Sequence, residues 1–253
     1  MAPKIDRNGG VWAMLTPRQR LTLCAHLFKA ITRQHHREMA PLLRQWIPSD
    51  GVVIDVGAHA GQYTKLFAAM APRGHVHAVE PGGYARLILT TTVRLRGLTN
   101  VTVHPIGLSD QAEEAELAVP VKASGSVGFG LSHLGDDAGG RPVRHETIRL
   151  ETLDHLVQDL DLARLDFIKA DVEGWEAPLM RGGHECLARH RPAVMLEIVE
   201  AHLTRANATP RELWNFLEQL GYEGKRVLPG GMLDSGTGDR GDGDYLFTQG
   251  ARQ

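Results

Sequence analysis

Val52-Val53-Ile54-Asp55-Val56-Gly57-Ala58-His59-Ala60-Gly61 is the stretch whose reading decides the fold. A short apolar run carries an acid near its end, a glycine-rich turn follows, and Gly61–Met70 then reads as a helix stopped near Pro72. Twenty-five residues after Asp55, a second strand-like run, His75–Glu80, ends in Val79-Glu80-Pro81. Glycines at such a turn let backbone approach a ligand closely, and an acid closing the next strand accepts hydrogen bonds from ribose hydroxyls. Gly57 and Gly61 give G-x-x-x-G, without the middle glycine that seats a pyrophosphate. The spacing therefore points to a ribose-bearing cofactor without a phosphate, and a nicotinamide dinucleotide fits poorly.

Working outward, the pattern alternates. Residues 17–46 read as helix, with Leu21, Leu23, Leu27, Phe28 and Ile31 at roughly helical spacing and Pro17 suited to a first turn. Tyr84–Arg96 reads as a second helix of the alternating part, closed by Gly97, and Val101–Ile106 as a third strand. Glu113–Val119 and Glu146–Leu150 read as short strands of an insertion near the sheet edge, around a Gly-, Ser- and Asp-rich loop at 123–141. Then follow a helix at Thr152–Leu160 and a strand at Asp166–Asp171. A helix over Trp175–Arg189 is interrupted at Gly182-Gly183, and Ala193–Val199 is a strand. Pro210–Leu220 is a helix with Thr209 as N-cap and Gly221 as stop. Lys225–Leu228 and Asp244–Thr248 close the chain as two strands around 229–243. Strands separated by helix-length segments predict a mostly parallel sheet with helices on both faces.

At 253 residues and 42% hydrophobic content the chain can bury a full core as one α/β domain. The formal net charge of −2 gives no electrostatic footprint for nucleic acid. Cys24 and Cys186 lie far apart, outside any C-x-x-C, so neither a disulfide framework nor a zinc knuckle is expected. No signal core and no membrane-length apolar run is present, and a cytoplasmic location is the default expectation.

Asp55–Gly61, Val79-Glu80-Pro81, Leu150–Asp154, Lys169-Ala170-Asp171-Val172-Glu173-Gly174 and Arg191–Glu197 occur in this order. In this the chain resembles the FkbM family of S-adenosylmethionine-dependent methyltransferases, from about residue 50 to 248. The resemblance implies a class I methyltransferase fold: a Rossmann-like α/β architecture with a mostly parallel seven-stranded sheet and a final antiparallel strand pair. It implies S-adenosyl-L-methionine as cofactor. Asp55, Gly57 and Gly61 would line the methionine and ribose end, Glu80 would take the ribose hydroxyls, and Ala58, His59 and Pro81 belong to the same two turns. His59 stands where the family more often carries Asn, and an imidazole still offers a hydrogen bond. Adenine contacts are expected from Ile106–Asp110. The expected division is an N-terminal helical cap over 1–48 and a methyltransferase domain over 49–250.

Lys169, Asp171 and Glu173, with Glu197 from the neighbouring strand, are the candidates for chemistry. Alternate residues of a strand share a face, so Lys169 and Asp171 point one way and Glu173 lies past the strand end, at the crevice where open α/β sheets bind ligands. A lysine in so apolar a strand needs an acid partner. Glu173 is read as base, oriented by Asp171 and Lys169, with His202 a rival; a structural ion network is the other reading of the same cluster. The function expected is O-methylation of a hydroxyl on a small molecule or glycan. Two alternatives stand beside it, an RNA 2′-O-methyltransferase and a non-catalytic cofactor-binding module. The N-terminal helices are read either as a cap or as a contact in a homo-oligomer. No metal is expected: His75 and His77 share a strand face without a third ligand, and the Asp234–Asp244 stretch lacks the closing Glu of a calcium loop. His35 and His36 read as adjacent helical residues that cannot share a face. Ser124–Gly130 reads as a loop that closes over substrate or as plain surface.

Overall fold

The computed structural model describes residues 16–120, 133–134, 143–234 and 240–250. In chain order the first half comprises α1 Pro17–Thr32, a 3₁₀ turn Arg37–Met39, α2 Ala40–Leu43, β1 Val52–Val56, α3 Gln62–Met70, β2 His75–Val79, α4 Gly83–Leu95, β3 Val101–His104, β4 Gly107–Ser109 and β5 Glu113–Pro120. The second half adds β6 His133–Leu134, β7 Val143–Thr152, α5 Leu153–Asp159, β8 Phe167–Ala170, α6 Glu176–Arg181, α7 His184–His190, β9 Ala193–Ile198, α8 Glu200–Leu203, α9 Pro210–Gln219, β10 Glu223–Leu228, β11 Met232–Leu233 and β12 Gly243–Thr248.

The main sheet runs β11-β10-β12-β9-β8-β1-β2-β3. Its strands from β3 to β9 are parallel, and β12 enters antiparallel to both β9 and β10. The chain winds outward from β1 to β3, then returns to β8 on the other side of β1. That reversal leaves a crevice at the carboxyl edge between β1 and β8. Strands buried on both faces explain the continuous apolar runs that replace polar alternation. One face packs Ile54, Val56, Ile168 and Leu196 against α5, α6, α7 and α9, and the other packs Val53, Phe167 and Met195 against α2 and α3. The two-residue β11 is an eighth strand beyond the seven expected, placed on the outer side of β10.

The inserted strands build a second sheet, β4-β7-β5-β6, rather than lengthening the first. β5 and β7 pair antiparallel from Glu113↔Leu150 to Pro120↔Val143. The third strand stops at His104, two residues short of the expected end, because Gly107–Ser109 turns away to pair with β7. Of the 123–141 loop only His133 and Leu134 are described; Ser124–Gly130 lies outside the described residues, as do 235–239 within the final glycine-rich stretch.

The helix expected over 17–46 is broken. Thr16 opens α1 with a capping box to Gln19, and Pro17 fills the first turn. Lys65 of α3 then donates its ammonium to the carbonyls of Ala30 and Arg33, satisfying groups at and just beyond the C-terminal end of α1. Arg33 turns extended and His36 adopts left-handed φ 60°. Gly182 and Gly183 separate α6 from α7 as expected: a Cβ at Gly182 would stand 2.0 Å from the carbonyl oxygen of Ser109, so β4 and the helix junction touch. Thr209 caps α9 through a capping box with Glu212, and Gly221 follows at φ 82°. Among the described residues no helix is long and apolar enough to cross a membrane.

Candidate active site

A cavity of about 340 Å³ opens along the carboxyl edge of the sheet, crossing β2, β1, β8, β9 and β12 in that order. Its first half is built by the turns after β1 and β2. The amides of Gly57 and Ala58 donate to the carbonyl of Val79 at 3.0 and 3.1 Å, so the glycine turn is sewn to the neighbouring strand. Gly57 sits at φ 71°, and a Cβ there would lie 1.9 Å from the carbonyl oxygen of Asp171. Only glycine satisfies both demands. His59 adopts φ 51° and donates its amide to Glu80 Oε2 at 2.8 Å. Glu80 Oε1 accepts from the amide of Gly82 at 2.8 Å. One buried carboxylate thus ties both turns together. Burial pushes its pKa up to about 7, against the two amide bonds that favour the charge.

These residues fit S-adenosylmethionine on two structural grounds. Glu80 has two carboxylate lone-pair directions committed to amides, leaving the others for two vicinal hydroxyls. Asp55 is fully buried, accepts from Thr64 Oγ1 at 2.6 Å through Oδ2, and its Oδ1 has no partner among the described residues. A buried oxygen lacking a donor beside a cavity suits a ligand that brings one. Asp55, Gly57, Ala58, His59, Glu80 and Pro81 all line the cavity. Gly61 does not: it caps α3 at φ 78°, where a Cβ would press 2.7 Å from Leu89 Cδ1, and so it shapes the turn from behind. Of the segment expected near adenine, Gly107 and Leu108 reach the wall, joined by Leu117 of β5 and Ile148 of β7. Those two were not legible because the inserted strands read as an edge feature.

The second half carries the charged cluster. Lys169 is 5% exposed and donates to Asp171 Oδ2 at 3.1 Å. Burial opposes its charge, yet Asp171 and then Asp55 outweigh burial and its pKa rises. Lys169 holds Asp171 below the usual carboxylate range. Glu197 behaves oppositely: burial, then the Asp171 charge, push its pKa up to about 8, and it shares a hydrogen bond with Asp171. Pairing of Ala170 with Leu196 and of Glu197 with Asp244 sets Asp171, Glu197 and Asp244 in one row across β8, β9 and β12.

Glu173 projects from the turn after β8 at φ 52°, a conformation costing a non-glycine residue about 1 kcal/mol or more. Three neighbours hold it there. Arg205 donates to its carbonyl at 3.0 Å, His202 Nδ1 lies 3.4 Å from its Oε2, and Glu176 Oε1 accepts the amides of Val172 and Gly174. Gly174 has no room for a side chain, since a Cβ would stand 2.1 Å from the carbonyl oxygen of His202. His202 is therefore behind Glu173 and outside the cavity wall. Glu176 was missed in the sequence, where an acid at the start of an apolar helix reads as an ordinary first-turn residue.

Two further wall residues were missed. His36 is in the break after α1, not on a helix, and its ring stacks on Tyr63 at 4.4 Å and 13°. Asp244, read as the first residue of the closing strand and given no role in the site, is the second residue of β12. Burial lowers the pKa of His36 and raises that of Asp244.

The profile of the Methyltransferase FkbM domain matches residues 55–223, two thirds of the chain. AMB antimetabolite synthetase AmbE of Pseudomonas aeruginosa is 30% identical over 211 residues, 70% of this chain and 10% of the synthetase. The 2-O-methyltransferase NoeI of Sinorhizobium fredii is 26% identical over 171 residues, 62% of this chain and 65% of NoeI. The chain thus spans a tenth of one relative and just under two thirds of the other. A solved structure of methyltransferase FkbM from Methylobacillus flagellatus KT shares the fold at a TM-score of 0.52 and 15% identity, over 90% of this chain and 59% of that one. With the acid-closed strands, the glycine turn and the reversed sheet order already in place, the chain belongs to the FkbM family of S-adenosylmethionine-dependent methyltransferases.

Proposed function

We propose that the protein methylates a hydroxyl of a small molecule or glycan, with Glu173 as the base. One observation carries the reading: Lys169, Asp171, Glu173 and Glu197 share a cavity with Asp55, Gly57 and Glu80. When bound, S-adenosylmethionine supplies an electrophilic methyl whose transfer leaves a neutral thioether. The turn glycines and Glu80 hold the cofactor end. Glu173 takes the acceptor proton, because a hydroxyl is a poor nucleophile until that proton leaves, an effect of about 10²–10⁴-fold. Asp171, kept ionised by Lys169, offers an acceptor that orients the same hydroxyl, and Glu197, hydrogen-bonded to Asp171, holds that carboxylate in place. Orientation in a water-poor crevice adds to the rate.

The acidic wall favours a small hydroxyl acceptor over a ribose within RNA, since Asp171, Glu173 and Asp244 face a single Lys169 and would repel a phosphate backbone. NoeI, named a 2-O-methyltransferase, is consistent with oxygen as the methylated atom. Incubation with methyl-labelled S-adenosylmethionine and a panel of hydroxyl compounds tests the reading by mass spectrometry. Label on oxygen in one compound, abolished by Glu173→Gln while S-adenosylhomocysteine still binds, is the expected result. Label on nitrogen, or full turnover by Glu173→Gln, overturns it.

A further inference from the structure

We propose that His36, stacked on Tyr63, forms the acceptor-selecting wall of the cavity, and that the acceptors it admits are uncharged polyhydroxylated rings such as sugars. This rests on the hydroxyl-methylation reading above and narrows it. The matched family domain begins at residue 55 and ends at 223, yet the cavity takes His36 from before it and Asp244 from after it. Asp244 belongs to the half of the cavity that lies away from Glu80, because β12 stands four strands from β2, and His36 joins that half through its proximity to the charges of Lys169 and Asp244.

The segment carrying His36 is fixed in place. Gln34 donates to the carbonyl of Gln62 at 2.8 Å, and the amide of His35 donates to Gln62 Oε1 at 3.2 Å. His36 holds a left-handed backbone conformation uncommon among non-glycine residues, and its imidazole lies nearly parallel to Tyr63. Tyr63 in turn receives the Lys169 ammonium 5.2 Å from its ring centre. An aromatic layer thus joins Lys169, the partner of Asp171, to His36 in the cavity wall.

The lining groups describe what fits. Aromatic faces pack against the C–H face of a saturated ring, while carboxylates at its edge accept from hydroxyls. Asp171 and Asp244 supply such acceptors, and the Lys169 ammonium supplies a donor. An acceptor carrying phosphate or carboxylate would set its charge against Asp171, Glu173 and Asp244.

Purified full chain, labelled S-adenosylmethionine, neutral methyl glycosides and their phosphorylated and uronic-acid counterparts test this, with S-adenosylhomocysteine calorimetry alongside. The expected result is methylation of a neutral glycoside with kcat/KM at least tenfold above its anionic counterparts. His36→Ala raises its KM tenfold or more, changes kcat much less and leaves S-adenosylhomocysteine affinity within twofold. His36→Asn, which tolerates the left-handed conformation, separates loss of the ring from loss of the backbone turn and shows the same KM defect. Preference for anionic acceptors, or an unchanged KM in both variants, overturns the proposal. Methylation of non-sugar hydroxyl compounds alone overturns it too, while leaving hydroxyl methylation standing; methylation on nitrogen sinks both.

Discussion

The amide of His59 donates to Glu80 Oε2 at 2.8 Å, so the turn that follows β1 is held by the acid that closes β2. The same carboxylate then has one duty to the protein and, in the function proposed above, another to the ligand. Replacing Glu80 by Ala removes one charge-assisted contact worth about 1.5–3 kcal/mol and loosens the turn besides. S-adenosylhomocysteine affinity is expected to fall tenfold or more, measured by calorimetry on a sample whose circular dichroism is unchanged. Affinity equal to the parent would remove Glu80 from the ribose.

Glu176 makes stability depend on pH. Its carboxyl is buried, Oε2 has no partner among the described residues, and burial pushes its pKa from the ordinary 4.5 up to about 7. The folded state holds this proton more tightly than the unfolded chain does. Its contribution is therefore fully present below pH 4.5 and is lost as pH rises toward 7, at up to ~1.4 kcal/mol per pH unit. Urea unfolding at pH 5, 6, 7 and 8 is expected to show declining stability, with a shallower decline in Glu176→Gln. Parallel curves for the two proteins would contradict the assignment.

Gly57 and Gly97 share a positive φ, 71° and 62°, but differ in surroundings. A Cβ at Gly57 strikes the Asp171 carbonyl, whereas one at Gly97 meets nothing within 4 Å. Gly97→Ala should cost only the backbone strain, about 1–2 kcal/mol. Gly57→Ala should cost more and also abolish S-adenosylhomocysteine binding. Thermal melts with and without ligand separate the two, and equal effects would deny the contact between β1 and β8.

Lys65 joins α1 to the domain. Its buried ammonium serves the carbonyls of Ala30 and Arg33, and hydrogen bonds to charged groups contribute about 1.5–3 kcal/mol each. Lys65→Met keeps the aliphatic stem and loses both. Hydrogen exchange in residues 17–32 is expected to accelerate while the β1 and β8 amides stay protected. Uniform protection would show that α1 is held by Leu23, Tyr84 and Ile88 packing alone.

The parts legible in the sequence were those fixed by local pattern. Val52–Val56 and Phe167–Ala170 are apolar runs closed by acids, and Thr209-Pro210 with Glu212 is a complete capping signal, so those elements fall where expected. The break at Arg33–His36 was hidden because Lys65, 32 residues beyond Arg33, answers the carbonyls of Ala30 and Arg33. Leu117, Ile148 and Asp244 were hidden for a related reason. Each reaches the cavity through strand pairing, and no periodicity announces which surface a paired strand will face. Glu176 was hidden by its own ordinariness, since only burial and an unpartnered oxygen distinguish it from any first-turn acid.

β12 lies between β9 and β10 although β10 precedes it in the chain. While the polypeptide is being made, Glu223–Leu228 is complete before the strand that will seat it exists, and Glu197 waits for Asp244 across the same gap. The cavity therefore cannot be finished in the order in which it is written: the wall that carries Asp244 comes after the strand it must seat. A nascent chain paused near residue 230 would hold the whole glycine turn, with the Asp244 side of the cavity still open to water. Closure of the far side of the cavity and the seating of Glu223–Leu228 in the sheet are then a single event, timed by the arrival of Gly243–Thr248.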